Sequence, residues 1–255
     1  MPRLSAGEAL RAFGRALGAS YERLGMVLVM SIAWYFPAMF AVILGLGLSP
    51  MSLPVFVAIV APLTAAVTYA GNLAVHKEDA GPRDLLRGFG RFWLRAAMLG
   101  AVQSVVLVVL ALDISLVFTV RATWVMMLSG IWVYLAIFIW SVCVYVYPLM
   151  VEQDVGVPTA IRRSALLVLD NPAYTLATVT IAAALFLLGV LPTVLLLLGF
   201  RAAGFLMILG LATYAGLNSI FVNCATVRVL KRYNAHRMSE RERLEEELAE
   251  GREEA

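Results

Sequence analysis

Residues Ala173–Leu198 read AYTLATVTIAAALFLLGVLPTVLLLL, 26 consecutive positions without one charged side chain. A helix crossing a bilayer needs roughly 20 predominantly apolar residues. Hydrocarbon offers no partner to a free backbone group, so such a segment must satisfy its own hydrogen bonds as a helix. Five further stretches meet the same criterion: Leu24–Leu48, Leu53–Val75, Leu94–Phe118, Trp124–Met150 and Ala203–Val227. Of the 37 charged residues, only Arg95 and Asp113 fall inside the six. A charge at mid-bilayer costs about 2.5–3.5 kcal/mol even on the lenient insertion scale, and lipid imposes this segregation. The sequence predicts an all-α membrane protein with six transmembrane helices. The first apolar run is far longer than a secretory core of about 7–15 residues, so it is expected to remain as a span.

Composition agrees. The 255 residues are 62% hydrophobic and 15% charged, against about 45–50% and 25% in soluble domains. That excludes a disordered chain, a nucleic-acid-binding domain and a secreted disulfide scaffold. The net charge is only +3. Cys143 and Cys224 sit in apolar runs, and His76 and His236 lie between or beyond spans without evident partners. Metal sites need clustered ligands at fixed spacings, so neither metal nor cofactor is expected.

Charge distribution sets the orientation. The short links between paired spans carry Arg121 and Arg201, while the other side of the membrane holds the remaining 18 basic residues. The positive-inside rule then places both termini in the cytoplasm. The chain divides into a cytoplasmic amphipathic helix (1–23), a six-span domain (24–227) and a charged tail (228–255). In the tail, Ser239 and Glu242 have capping-box spacing and predict a short solvated helix. Trp93, Trp124, Tyr147 and Tyr233 suit interfacial anchoring.

An internal repeat is legible. Leu10-Arg11-Ala12-Phe13-Gly14-Arg15 returns 76 positions later as Leu86-Arg87-Gly88-Phe89-Gly90-Arg91. Ile161-Arg162-Arg163-Ser164-Ala165 follows after about the same interval. Each precedes a pair of spans, which predicts three tandem units of amphipathic helix plus helical hairpin. In the second helix Pro82 suits the first turn, Asp84 favours the positive helix start, and Arg83, Arg87, Arg91 and Arg95 recur every four residues. Leu85, Phe89, Phe92 and Trp93 lie largely opposite. In the first, Leu10, Phe13, Leu17 and Leu24 form the apolar stripe beside Arg11 and Arg15. Such helices lie in the headgroup plane with arginines on anionic lipid. The alternative is docking onto a cytoplasmic partner, and Arg162 and Arg163 belong to the same set.

The motifs of enzymes are missing: no Gly-rich phosphate loop, no His-Glu-x-x-His and no nucleophile elbow. Catalysis is not expected. Polar residues within the spans are the better candidates. Asp113 is the one acid, near the outer end of its span; it is either a functional acid or an interfacial carboxylate paired with Arg121 or Arg201. Asn72 and Asn223, two repeat lengths apart, share a depth range with Tyr69, Tyr147 and Asn218. The five are either a polar vestibule open to the cytoplasm or a set of interhelical hydrogen bonds. Pro37, Pro62 and Pro192 predict kinks. The pairs Ala97/Ala101 and Ala212/Gly216 allow close helix packing within the bundle.

The run Pro62-Leu63-Thr64-Ala65-Ala66 resembles an element of the YesL-like family of bacterial membrane proteins. In that family's order follow Phe89-Gly90-Arg91-Phe92-Trp93, Gly100, Asp113, Tyr147-Pro148, Ile161-Arg162-Arg163-Ser164-Ala165-Leu166 and Asn171-Pro172, so the likeness covers roughly Leu10 to Arg232. The family is a domain of unknown function whose members are often encoded near genes for uptake and breakdown of complex carbohydrates. The resemblance implies a multi-pass protein of the bacterial cytoplasmic membrane with a non-catalytic accessory or regulatory role beside a sugar ABC importer, its basic helices meeting importer subunits. It transfers no catalytic residue. A small transporter or channel with a polar site between helices is the alternative, and an intramembrane enzyme ranks last. The sequence sets no oligomeric state.

Overall fold

The computed structural model describes residues 4–46, 52–78, 80–119, 123–197, 199–200 and 203–253. Side-chain surroundings are described for 4–44, 52–78, 80–113, 115, 130–196, 199–200 and 203–233. Among the described residues the structure is helical throughout. The helices are α1 (Ala6–Glu22), α2 (Leu24–Leu46), α3 (Ser52–Val75), α4 (Pro82–Thr119), α5 (Thr123–Glu152), α6 (Val157–Asp170), α7 (Pro172–Leu197) and α8 (Ala203–Glu253). Six of them, α2, α3, α4, α5, α7 and α8, are long and apolar enough to cross a membrane. The order of amphipathic segment then hairpin recurs three times: α1 with α2–α3, the start of α4 with α4–α5, and α6 with α7–α8. Leu4 and the start of α1, the turns at 76–78 and 153–156, Asn171 and the stretch of α8 at Arg228 and Arg232 lie at one face of the bundle. We call it the basic face.

Helix α8 is the centre of the bundle and packs against α1, α2, α3, α5 and α7. Its Ile220, Phe221 and Asn223 are fully buried. Lipid tails are as apolar as leucine, so helices in a membrane gain by close van der Waals approach at small residues. A Cβ built on Gly216 would stand 2.6 Å from the Val27 carbonyl oxygen of α2, and one on Gly210 would stand 2.6 Å from the Gly189 carbonyl oxygen of α7. On α4, Gly88 faces Tyr69 and Gly100 faces Ala61, with Ala96 buried between them. Gly216 thus serves the close packing read from its sequence. Ala101 does not: it is exposed, and the α3–α4 seam runs through Ala96 and Gly100 instead.

Two proline effects are visible. Pro62 has no N–H to give the carbonyl four residues back, and the turn before it, Phe56–Val60, is a π-helix. The Ala58 carbonyl, four residues before Pro62, accepts the Trp93 Nε1–H from α4 at 3.3 Å. Pro192 is followed by Thr193, whose hydroxyl pairs with the Tyr35 hydroxyl of α2.

Three expectations about the basic face change. First, the second amphipathic segment is not a separate helix lying flat. It is the first part of α4, 38 residues long and so about 57 Å at 1.5 Å per residue, twice the roughly 30 Å hydrocarbon core. It runs on the axis of its span and packs Gly88 and Phe92 on Tyr69. Second, α1 also packs on the bundle, through small residues that the sequence reading did not single out, and leaves most of the apolar stripe facing outward, as expected of a stripe that meets lipid. Ala9, Ala12 and Ala16 are fully buried, whereas Leu10, Leu17, Tyr21 and Leu24 are exposed at 62, 45, 77 and 56%. Only Phe13 of the expected stripe reaches the bundle, edge-on to Phe221 with ring centroids 5.5 Å apart. Third, Ser239 starts no helix: α8 passes through it without a break and extends the last span to Glu253.

Candidate functional site: a cavity between the spans

A cavity of about 690 Å³ opens among α3, α4, α5 and α8. Trp34 of α2 and Phe186 of α7 line one side, and Ile161 and Ala165 of α6 line the end towards the basic face. That volume lies within the range of small-molecule sites, about 300–1,000 Å³. None of the lining residues is charged. Most of the wall is aliphatic, including Leu99, Val102, Val106, Leu107 and Leu110 of α4.

The polar lining groups can be followed bond by bond. Trp34 Nε1–H donates to Thr64 Oγ1 at 2.8 Å, and the Thr64 hydroxyl donates to the Val60 carbonyl at 2.8 Å. The Thr68 hydroxyl donates to the Thr64 carbonyl, and the Ser219 hydroxyl to the Val67 carbonyl across to α3. The Tyr147 hydroxyl donates to Gln103 Oε1 at 3.1 Å, which ties α5 to α4. The same glutamine also reaches the Cys143 thiol. Asn218 differs: its Oδ1 is shielded from solvent and has no hydrogen-bond partner. A buried polar atom without a partner costs about 1–3 kcal/mol, and this oxygen is closed off from the cavity as it is from solvent.

Of the six intramembrane candidates, Tyr147 and Asn218 line the cavity. Asn72, Asn223 and Tyr69 do not. Asn223 is fully buried in the α3–α8 seam and donates to the Thr68 and Ser219 carbonyls at 3.0 and 2.9 Å. Gly71 makes that seam possible, since a Cβ there would stand 2.2 Å from Ser219 Oγ. Tyr69 packs on Gly88 and Phe92. Asn72 donates to Glu152 Oε2 at 2.5 Å, and His76 Nε2 lies 3.0 Å from the same oxygen. Histidine 76 therefore has a partner after all. The five residues do not form a single vestibule, and Ile161 and Ala165 of α6 line the cavity on the side of the basic face.

Asp113 stands apart at the far end of α4, half-buried, with no hydrogen-bond partner for Oδ2 among the described residues. The arginines proposed to pair with it, Arg121 and Arg201, lie outside the described residues. The basic set divides. Arg91 and Arg95 both clasp Asp154 in the α5–α6 turn, at 2.9 and 2.6 Å. They hold its carboxyl below the usual carboxylate range, by hydrogen bonding first and by charge second. Arg163 bonds the Gln153 side chain and Arg87 bonds Asp84. Arg11, Arg15, Arg83 and Arg162 are exposed. Glu8 of α1 is approached by Arg228 and Arg232 of α8, each at 3.6 Å.

Sequence reasoning missed Gln103, Thr64, Thr68, Ser219 and Glu152. Gln103 carried a usable signal as an amide in the middle of a span. Glu152 carried a weaker one, two residues past the end of its span. Among the described residues, no three His, Cys, Asp or Glu side chains converge as a metal site would require. No family model, curated protein or solved structure matches the chain.

Proposed function

We propose that this multi-pass membrane protein is non-catalytic and works by holding a lipophilic molecule in its intramembrane cavity. One observation carries the reading: an uncharged, largely aliphatic chamber of about 690 Å³ between four spans, with a few fixed polar groups on its wall. Such chambers bind by apolar burial and use their polar groups for orientation. A path for ions or free sugars is supported less, because the lining residues are uncharged and mostly aliphatic. The resemblance to YesL-like proteins adds the process, an accessory role in carbohydrate uptake at a bacterial cytoplasmic membrane, with both termini inside. The exposed Arg11, Arg15, Arg83 and Arg162 supply a surface for anionic headgroups or for importer subunits.

Trp34 and Trp140 line the cavity and report on its contents. In nanodiscs, a brominated long-chain probe is expected to quench tryptophan emission saturably, and filling the chamber with Ala136→Trp should abolish the saturable component. Quenching that only rises in proportion to probe in the bilayer would refute the cavity reading. Co-purification in mild detergent tests the process: importer subunits are expected with the protein, and their absence on every carbohydrate tried would remove the link to uptake.

A further inference from the structure

We infer that the α1–α8 seam on the basic face is a binding site for an anionic phospholipid, with the phosphate among Arg11, Arg15, Arg228 and Arg232 and the acyl chain on the exposed apolar side of α1. The inference does not depend on what the cavity holds. It rests on the proposed role of the basic face and gives that face one partner in one place.

Charge carries the first part. Helices α1 and α8 run antiparallel where they touch: Glu8 lies beside Arg228 and Arg232, and Phe13 meets Phe221. Arg15 is close enough to the same seam to act by its charge on the Tyr174 hydroxyl, as Arg228 does, and on the Cys224 thiol. Arg11 stands three residues from Glu8 and four from Arg15, and so beside both on the helix surface. Four guanidinium groups thus gather at one carboxylate, and Glu8 cannot satisfy them. Its Oε2 accepts the Ser5 N–H at 3.0 Å, which caps α1. Its contacts to Arg228 and Arg232 are each 3.6 Å long, beyond hydrogen-bond length. Arg228 reaches only the Glu8 carbonyl, at 3.4 Å. Arg11 and Arg15 are exposed, with no hydrogen bond or ion pair among the described residues. Most of the donors are unspent, and a phosphate brings the negative charge and the several acceptor oxygens that suit them.

The surroundings choose a lipid over a soluble anion. Arg228 directly follows the last apolar stretch, Ala203–Val227, which puts it at headgroup depth. Successive residues of a helix turn by about 100°. Around α1 the order is therefore the buried Ala9, Ala12 and Ala16, then Arg15, then Arg11, then the exposed Leu10, Leu17 and Tyr21. The arginines lie between the bundle and an apolar outer side. An amphiphile with an anionic head meets both, whereas inorganic phosphate or an acidic protein loop meets only the charge.

The test titrates phosphatidylglycerol into the full-length protein in an uncharged mild detergent and follows melting by thiol labelling. Phosphatidylcholine of the same chains and inorganic phosphate are the other two probes. Only phosphatidylglycerol is expected to raise the melting temperature saturably. Arg11→Gln and Arg15→Gln should each raise the lipid fraction at half-effect about fivefold. Glu8→Gln keeps an acceptor for the Ser5 amide and should lower it. Arg83→Gln and Arg162→Gln, on α4 and α6, should leave it unchanged. Equal effects of the two lipids on the wild type overturn the inference, need no variant to fold, and leave importer docking as the use of these arginines. An equal effect of inorganic phosphate overturns it as well, because the apolar side of α1 would then add nothing. Weakening by Arg83→Gln or Arg162→Gln as large as by Arg15→Gln also overturns it, as the mark of diffuse surface charge. None of these outcomes bears on the cavity reading, which bromine quenching decides separately.

Discussion

Replacing Gly216 by alanine adds one methyl group at the crossing of α8 and α2. The built Cβ stands 2.6 Å from the Val27 carbonyl oxygen, 2.8 Å from its Cα and 2.9 Å from its Cγ1. Two of these are backbone atoms and cannot rotate away. An ordinary contact begins near 3.4 Å, so α2 and α8 must separate by about 0.8 Å along that line. Overpacking of this kind costs roughly 1–3 kcal/mol, and dispersion is lost along the seam as it opens. The same substitution also raises helix propensity by about 0.8–1 kcal/mol. Gly14 of α1 isolates that second effect, because nothing lies within 4 Å of a Cβ built there. Gly14→Ala should therefore stabilise the protein, and the difference between the two variants should equal the packing cost alone. At about 2–4 °C per kcal/mol for a chain of this size, the two melting temperatures should differ by roughly 2–12 °C, with Gly216→Ala the lower. Cys143 and Cys224 are free and half-buried, so a thiol-reactive fluorophore can follow unfolding in mild detergent. Equal melting temperatures for Gly14→Ala and Gly216→Ala would refute the close approach of α2 and α8.

Three further outcomes follow from the basic face. Lys77 sits at φ 61° after α3, in a Schellman turn whose Glu78 amide bonds the Leu73 carbonyl at 3.0 Å; Gly199 at φ 95° fills the corresponding place after α7. Lys77→Gly should raise stability by about 0.5–1 kcal/mol in the same thiol-labelling melt, and a loss of stability would mean that the lysine is not held in the left-handed region. Glu152→Ala leaves the buried Asn72 amide without its acceptor and should cost about 1–3 kcal/mol; Glu152→Gln, which retains an acceptor oxygen, should cost less, and the reverse order would count against the contact. Asp154 is held below its usual value of 3.8 by Arg91 and Arg95, so its contribution is complete above that value and is lost as pH falls through the lower folded-state value. At neutral pH Asp154→Asn, which tolerates the left-handed φ of 48°, should cost only about 0.2–1 kcal/mol because the pair is exposed; the gap from wild type should close on acidification, and melts that stay parallel down the pH range would refute the clasp.

The spans were legible because hydrocarbon imposes one requirement on every residue of a segment, and a run such as Ala173–Leu198 meets it at every position. Which face of each helix turns inward was not legible from hydrophobicity. In α1 the eye follows Leu10, Phe13 and Leu17, yet Ala9, Ala12 and Ala16 are among the residues buried against the bundle. In α4 Leu94, Met98 and Val105 face outward while Ala96 and Gly100 face α3. The soluble-protein rule that large apolar residues go inside depends on water as the alternative. Where the alternative is lipid, the large residues gain nothing by leaving it, and small ones gain by letting backbones meet. Small residues at i, i+4 spacing are therefore the better guide to burial here, and the choice of Ala97/Ala101 over Ala96/Gly100 was an error of one position in phase.

The polar residues obey a stricter rule, and it explains why the site was only half visible. In the spans nearly every polar side chain has to find a protein partner, so a list of polar residues by depth mixes structural pairs with candidates for binding. Asn72, Asn223 and Tyr69 are polar and at similar depth, but each is engaged by the bundle itself, through Glu152, Thr68 and Gly88. Their partners lie as many as 155 residues away, which no local pattern reveals. Separation of the two kinds requires the bonds to be followed one at a time. When they are, Tyr147 and Gln103 satisfy each other, Ser219 is tied to α3, and the Oδ1 atoms of both Asn218 and Asn223 are closed in without a hydrogen-bond partner. A missing bond cannot be seen until the fold has assigned all the others, and by itself it separates no binding residue from a structural one, because several buried polar atoms here lack a partner.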